Sequence, residues 1–292
     1  MLELPGLHDA ASARSVSAKR WHLRLTLFSL LALTVAAVAG AVGGTGPAVF
    51  ALLLFVLALF LRVYLATERP ERAWYDGRAL AESVKTIAWR YAVGGRPFSI
   101  ELPPGEVERR YVDVVQGLLE SLRGMYLGSH GAISDGMRAA RQGSLDERRN
   151  LYLAGRIDDQ AGWYEMRAES HQRRYRLWAL ATLVFEFAGI AGGVVIIATD
   201  VDFDVLGIFA AAAAAVIAWV ETNQYGNLAH SYSNAAQELG AIRTLAPHAV
   251  SEDAWADFVA TAEEAISREH VTWAAAGGTA TAELTRLRPR EP

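Results

Sequence analysis

Between Leu25 and Leu61 the chain carries no charged residue. That run is longer than one helix needs to cross a hydrocarbon core of roughly 30 Å, so it must turn back on itself, and Gly43-Gly44-Thr45-Gly46-Pro47 supplies the turn. The pattern predicts an apolar helix over Leu25–Val42 and an antiparallel return over Ala48–Leu65. Arg62 falls near the end of the return, where its stem can lie in lipid while its head reaches the interface. A second pair is predicted over Leu177–Ala198 and Phe203–Val220, joined by the acidic stretch Asp200-Val201-Asp202-Phe203-Asp204. The strictly uncharged part of the fourth span starts only at Val205, so a soluble core helix is the alternative there.

Outside these runs the period becomes that of amphipathic helices. Trp74, Leu80, Val84, Ile87 and Tyr91 share a helical spacing, with Arg78, Glu82 and Lys85 elsewhere on the surface; the second span is expected to continue out of the membrane until Gly94, Gly95 and Pro97 stop it. Pro103 and Pro104 open a helix whose apolar stripe is Val107, Tyr111, Val114, Val115, Leu118 and Leu122. A Gly/Ser-rich loop over Gly128–Gly143 precedes Ser144, which forms a capping-box signature with Glu147. From there one long helix runs into the third span, with Gly155 and Gly162 as its places to kink. The fourth span is expected to continue through Tyr225, Leu228, Tyr232, Ala236 and Leu239 to Pro247. Ser251 caps a last helix carrying Trp255, Phe258, Val259, Ala262 and Ile266 on one side, and the end from Gly277-Gly278 reads as disordered. The fold class expected is an all-α membrane protein, its four transmembrane helices forming two hairpins from which amphipathic helices extend into a cytoplasmic bundle. Its segments are 1–24 (a cytoplasmic N-terminal segment), 25–100, 101–143, 144–247 and 248–292.

Composition turns the apolar runs from core helices into membrane spans: 52% of the 292 residues are hydrophobic and 21% charged, with a positive mean hydropathy. Arg14, Lys19, Arg20 and Arg24 precede the first span, Arg62, Arg69 and Arg72 follow the second, and Arg173, Arg174 and Arg176 precede the third, whereas neither hairpin turn holds a basic residue. The positive-inside rule then puts both turns outside and both termini in the cytoplasm. The first apolar run is no signal peptide, because it continues into a second span with no A-x-A site before the turn. A net charge of −4 spread along the chain leaves no basic field for nucleic acid. There is no cysteine, the seven histidines are scattered, and no G-x-x-x-x-G-K-[ST], G-x-S-x-G or H-E-x-x-H occurs. No enzyme, metal or cofactor is expected.

Candidate functional residues lie mainly in and beside the spans. Glu186, near the middle of the third span, reads either as a pore-lining or gating carboxylate repeated around an assembly, or as a neutral carboxyl hydrogen-bonded to a neighbouring helix. Gly189 and Gly193, and Ala32, Ala36, Gly40 and Gly44, form rows that let helices approach closely, within the hairpin or between subunits. Arg173, Arg174 and Arg176 set topology and touch anionic lipid, with a bound phosphate as the alternative. Trp74, Trp89, Trp163 and Trp178 read as anchoring or core residues, and Glu82 and Lys85 are spaced to pair along one helix.

A faint internal repeat pairs Tyr75-x-x-Arg78-Ala79-Leu80-Ala81-Glu82-Ser83 with Tyr225-x-x-Leu228-Ala229-His230-Ser231. The segment Trp74-Tyr75-x-x-Arg78-x-x-Ala81-Glu82-Ser83-x-Lys85-Thr86-x-x-Trp89-Arg90-Tyr91, followed by Pro97-Phe98, resembles the helix after the hairpin in SLATT proteins, the SMODS- and SLOG-associating two-transmembrane effectors. Tyr152-Leu153-x-x-Arg156-Ile157-x-Asp159-Gln160-x-x-Trp163-Tyr164 resembles another branch of that group, so the chain resembles two SLATT units in tandem over all but its two ends. The resemblance implies a prokaryotic conflict or antiphage system in which a homo-oligomeric membrane pore opens when a separate sensor protein or nucleotide second messenger triggers it. It also implies that Arg78, Glu82 and Lys85 contact the other unit, and Trp74 and Trp89 join them as contacts of the cytoplasmic helix. The competing reading is a non-conducting anchor or scaffold that recruits a cytoplasmic partner; a transporter fits less well, since Glu186 is the single ionisable residue in the interior of the spans and there is no evident helix break.

Overall fold

The computed structural model describes residues 2–121, 133–199 and 203–276, and among these it is helical without a strand. Leu122, residues 128–132 of the expected loop, residues 200–202 of the acidic joint and the end from Gly277-Gly278 lie outside the described residues. The α-helices follow in the order α1 (Gly6–Val42), α2 (Thr45–Glu68), α3 (Pro70–Val93), α4 (Pro104–Ser121), α5 (Asp135–Arg141), α6 (Leu145–Tyr152), α7 (Asp159–Thr199), α8 (Val205–Asn223), α9 (Tyr225–Leu245) and α10 (Glu252–Ala276). Four helical stretches are long and apolar enough to cross a membrane: α1, α2, α7 and α8 supply them, as two hairpins. Gly43 and Gly44 make the first turn with φ of 76° and 83°, a left-handed backbone that costs glycine nothing. Asp204 opens α8 by accepting the Gly207 N–H at 2.8 Å.

The chain divides into two compact units. The hairpin unit holds the described residues of 19–70 and 167–230, and the bundle unit those of 1–18, 71–166 and 231–292. Each unit draws on both halves of the sequence, so the two hairpins are not two separate domains.

Several elements depart from the sequence reading. Helix α1 already starts at Gly6, inside residues 1–24, and runs unbroken into the first span. Leu7, Ala11 and Ser15, four apart, are buried, and the Ser15 hydroxyl donates to the Trp74 carbonyl at 2.9 Å. A Cβ at Gly77 would lie 3.2 Å from the Ala11 carbonyl oxygen, so this helix pair is held by backbone proximity and small residues, which leave little hydrophobic signal.

The second and fourth spans do not continue as single helices. Arg69 (φ 45°) separates α2 from α3, and Gln224 (φ 51°) separates α8 from α9. Pro70, lacking an N–H, can stand only in the first turn of α3; Gln224 has no such mark. The long helix after Ser144 is interrupted by a π-helical turn, Leu153–Asp158, which contains Gly155, where the Trp89 ring comes within 3.1 Å of the place a Cβ would take.

The Ser144 and Glu147 capping box is formed in both directions. A seven-residue helix, α5, stands inside the expected loop, capped by Ser134 accepting from the Met137 N–H at 3.1 Å; it is too short to show a period. In α4, Val107, Tyr111, Val115 and Leu118 are buried while Val114 is exposed.

Candidate functional site

In the hairpin unit, α7 meets α8 through glycines. A Cβ at Gly192 would lie 2.5 Å from Val205 Cγ1, one at Gly189 3.2 Å from Phe209 Cβ, and one at Gly193 3.7 Å from Leu206 Cδ1. This row therefore packs inside its own hairpin. The row on α1 divides: Ala32 and Ala36 are buried, whereas Gly40 is exposed and a Cβ there would meet nothing within 4 Å.

Glu186 borders the α7 glycine seam, three residues before Gly189, yet it is exposed. Leu183, Phe187 and Ile190 beside it are 61%, 75% and 63% exposed. Among the described residues Glu186 has no hydrogen-bond or ion-pair partner, so a neighbouring helix of its own chain does not satisfy it. It stands nine residues inside Leu177, about 13 Å along the helix axis. Arg173, Arg174 and Arg176 are all exposed just before the span, and Arg173 approaches Glu169 one turn earlier only to 3.9 Å.

The bundle unit gathers its chemistry on α3, which runs antiparallel both to α6 with the start of α7 and to α10. Arg78 lies over the Trp163 ring, 5.9 Å from its centroid; Lys85 donates to Gln160 Oε1 at 3.2 Å; Trp89 packs edge-on against Tyr152 at 5.8 Å. Trp74 stacks on Tyr75, with ring centroids 4.8 Å apart, and is itself buried.

At the C-terminal end of α3, where backbone carbonyls have no partners within the helix, arginines supply donors. Arg141 donates to the Tyr91 carbonyl at 2.9 Å and the Phe98 carbonyl at 2.7 Å. Arg148 donates to the Val93 carbonyl at 2.9 Å, and the Trp255 indole N–H reaches the same oxygen at 2.9 Å. Positive groups at this end also oppose the negative pole of the helix dipole.

Between α3, the π-helical turn and α10 lies a fully buried ion pair. Arg156 donates Nε to Glu263 Oε1 at 2.9 Å and Nη2 to Oε2 at 2.7 Å, with neither side chain accessible. The same carboxylate accepts from the Thr86 hydroxyl at 2.8 Å and from the Tyr152 hydroxyl at 3.1 Å. Burial works against the Arg156 charge, yet the Glu263 carboxylate holds the guanidinium above its ordinary range. Burial, with Glu263 adding to it, pushes the Tyr152 hydroxyl well up. Lys85 goes the other way, lowered by burial and then by the Arg156 charge.

A model of SMODS and SLOG-associating 2TM effector domain 3 matches residues 5–149, and one of SMODS and SLOG-associating 2TM effector domain 1 matches residues 152–273. The chain belongs to the SLATT family. It carries two SLATT units in tandem, membrane effector domains of conflict systems, and matches no curated protein and no solved structure. Set on these SLATT boundaries, the ties of Arg78, Lys85, Thr86 and Trp89 all run from the first unit into the second.

Glu263 escaped the sequence reading, although a signal was there: it is a carboxylate inside the apolar stripe of Val259, Ala262 and Ile266 on α10. Arg141, Arg148 and Arg156 stand on three successive elements, α5, α6 and the π-helical turn, so no single helical period marks them.

Proposed function

We propose that this SLATT protein is a pore-forming effector of a prokaryotic antiphage or conflict system. In this reading it assembles as a homo-oligomer in the cytoplasmic membrane, with both hairpin turns outside and both termini inside. A separate sensor protein or nucleotide second messenger opens it through its cytoplasmic helices, and its effect is loss of the membrane potential rather than catalysis.

The reading rests on Glu186. A carboxylate held deep in a span and facing lipid costs on the order of 2.5–3.5 kcal/mol in each subunit. Among the described residues nothing in its own chain pairs with it, whereas a ring of such groups around a water-filled path is both solvated and attractive to cations. The exposed arginines at the mouth of the third span support the inward orientation and suit anionic headgroups.

The test is ion flux from liposomes holding the purified protein, before and after candidate nucleotides and partner proteins are added. Triggered flux is expected, and Glu186→Gln should reduce cation conductance while leaving assembly intact. Unchanged single-channel currents in that variant would remove Glu186 from the path. Silence from folded, inserted protein under every trigger would favour the non-conducting scaffold.

A further inference from the structure

Among the described residues only two that are not glycine have a left-handed backbone, and they occupy equivalent places: Arg69 and Gln224 each end the second helix of a hairpin. A Cβ disfavours this conformation, and such residues concentrate where a chain switches. The two junctions are restrained very differently.

At the first junction the Arg69 N–H donates to the Leu65 carbonyl at 3.0 Å and its Nε to the Ala66 carbonyl at 3.3 Å. The next residue is the buried Pro70. A residue before proline is disfavoured in the right-handed helical region, and proline offers no N–H to carry the helix on. The first junction is locked.

At the second junction the Gln224 backbone N–H reaches the Glu221 carbonyl at 3.1 Å, and the Gln224 side-chain amide makes no hydrogen bond among the described residues. Tyr225 follows and carries an N–H. The Leu228 N–H already donates to the Gln224 carbonyl at 2.9 Å in the helical i to i−4 pattern. One residue's φ and ψ therefore separate the bent chain from a continuous helix, in which Tyr225 would bond Glu221. The residue also has room to turn, because it lines a crevice of about 260 Å³ with Gln172, Tyr175, Glu221, Tyr225 and His230.

We propose that Gln224 is a hinge that converts between left- and right-handed backbone, bending or joining α8 and α9, while Arg69 is its fixed counterpart in the first SLATT unit. The second unit is thus the one that moves. Use of the hinge in gating rests on the pore reading; the hinge itself does not.

The chain has no cysteine, so spin-label pairs can be placed in the full-length protein in lipid nanodiscs, at Ile217→Cys with His230→Cys and, for comparison, at Leu59→Cys with Arg72→Cys. All four positions are exposed. Each pair is thirteen residues apart, about 20 Å along a continuous helix. Gln224→Ala, which keeps the Cβ that penalises left-handed backbone and has the higher helix propensity, should enrich the continuous-helix distance about two-fold across the second junction, and Gln224→Gly, which lifts that penalty, should deplete it. Arg69→Ala should leave the first pair at one distance.

A second-junction distribution that Gln224→Ala and Gln224→Gly both leave unchanged would overturn the hinge, as would an equal response at the first junction. Distances that move as expected while flux stays silent would uphold the hinge and count against the pore.

Discussion

In the bundle unit Trp89, Trp255, Tyr111 and Tyr152 are wholly or almost wholly buried, and Arg148 and Arg156 lie among them. In the hairpin unit the buried side chains include Ala32, Ala36, Ala51, Ala58 and Ala213, while Phe60, Phe187 and Ile197 are 66%, 75% and 86% exposed. The inversion reflects two solvents. Water drives large apolar side chains inward, and charged groups follow where partners meet them, as Arg148 meets the Val93 carbonyl and Glu252 and Arg156 meets Glu263. Lipid gives no such drive between helices, so they meet where small residues allow close packing and leave bulk outside.

The largest expected effect breaks the bundle side of this contrast. Glu263→Leu strands the Arg156 cation in a sealed interior and should cost about 3–5 kcal/mol, with the double variant Arg156→Met/Glu263→Leu recovering much of the loss. Chemical unfolding in mild detergent reads both; a single variant costing less than about 1 kcal/mol would mean that water reaches the pair.

On the hairpin side, Gly192→Ala forces a methyl group against Val205 and should destabilise by about 1–3 kcal/mol. Gly40→Ala, with nothing within reach, should be neutral or gain up to about 1 kcal/mol from helix propensity. Equal effects at the two glycines in thermal melts would show that the α1 row is covered too, as it would be in an assembly.

The smallest effect is a slope. With Lys85 lowered by burial, the unfolded chain holds more protons than the folded one below the ordinary value of 10.5, so this residue's contribution to stability rises with pH through that interval. Lys85→Met should flatten the rise; parallel pH profiles for the two proteins would place Lys85 in contact with water.

Much of the hairpin unit was legible because its signal is composition over a length: an uncharged stretch longer than a bilayer must turn, and Gly43 and Gly44 mark the place. The capping box at Ser144 was legible for a local reason, since Ser144 and Glu147 satisfy each other's backbone within one turn. The α5 helix was not, because seven residues carry no period. The Glu263 and Arg156 pair was missed because its partners lie 107 residues apart, and no local rule connects them.

By itself the sequence determined the helical class, the four apolar spans, the turn between the first two and membership of the SLATT family, all of which depend on runs, spacings and caps within one segment. Tertiary structure alone decided that the two halves share both compact units, that Glu186 has no partner among the described residues beside a seam that closes over Gly192, and that the chain breaks at Gln224 with neither proline nor glycine there. Each depends on what a distant segment brings to the same point in space, and the free energy of that meeting leaves its mark on neither stretch of sequence alone.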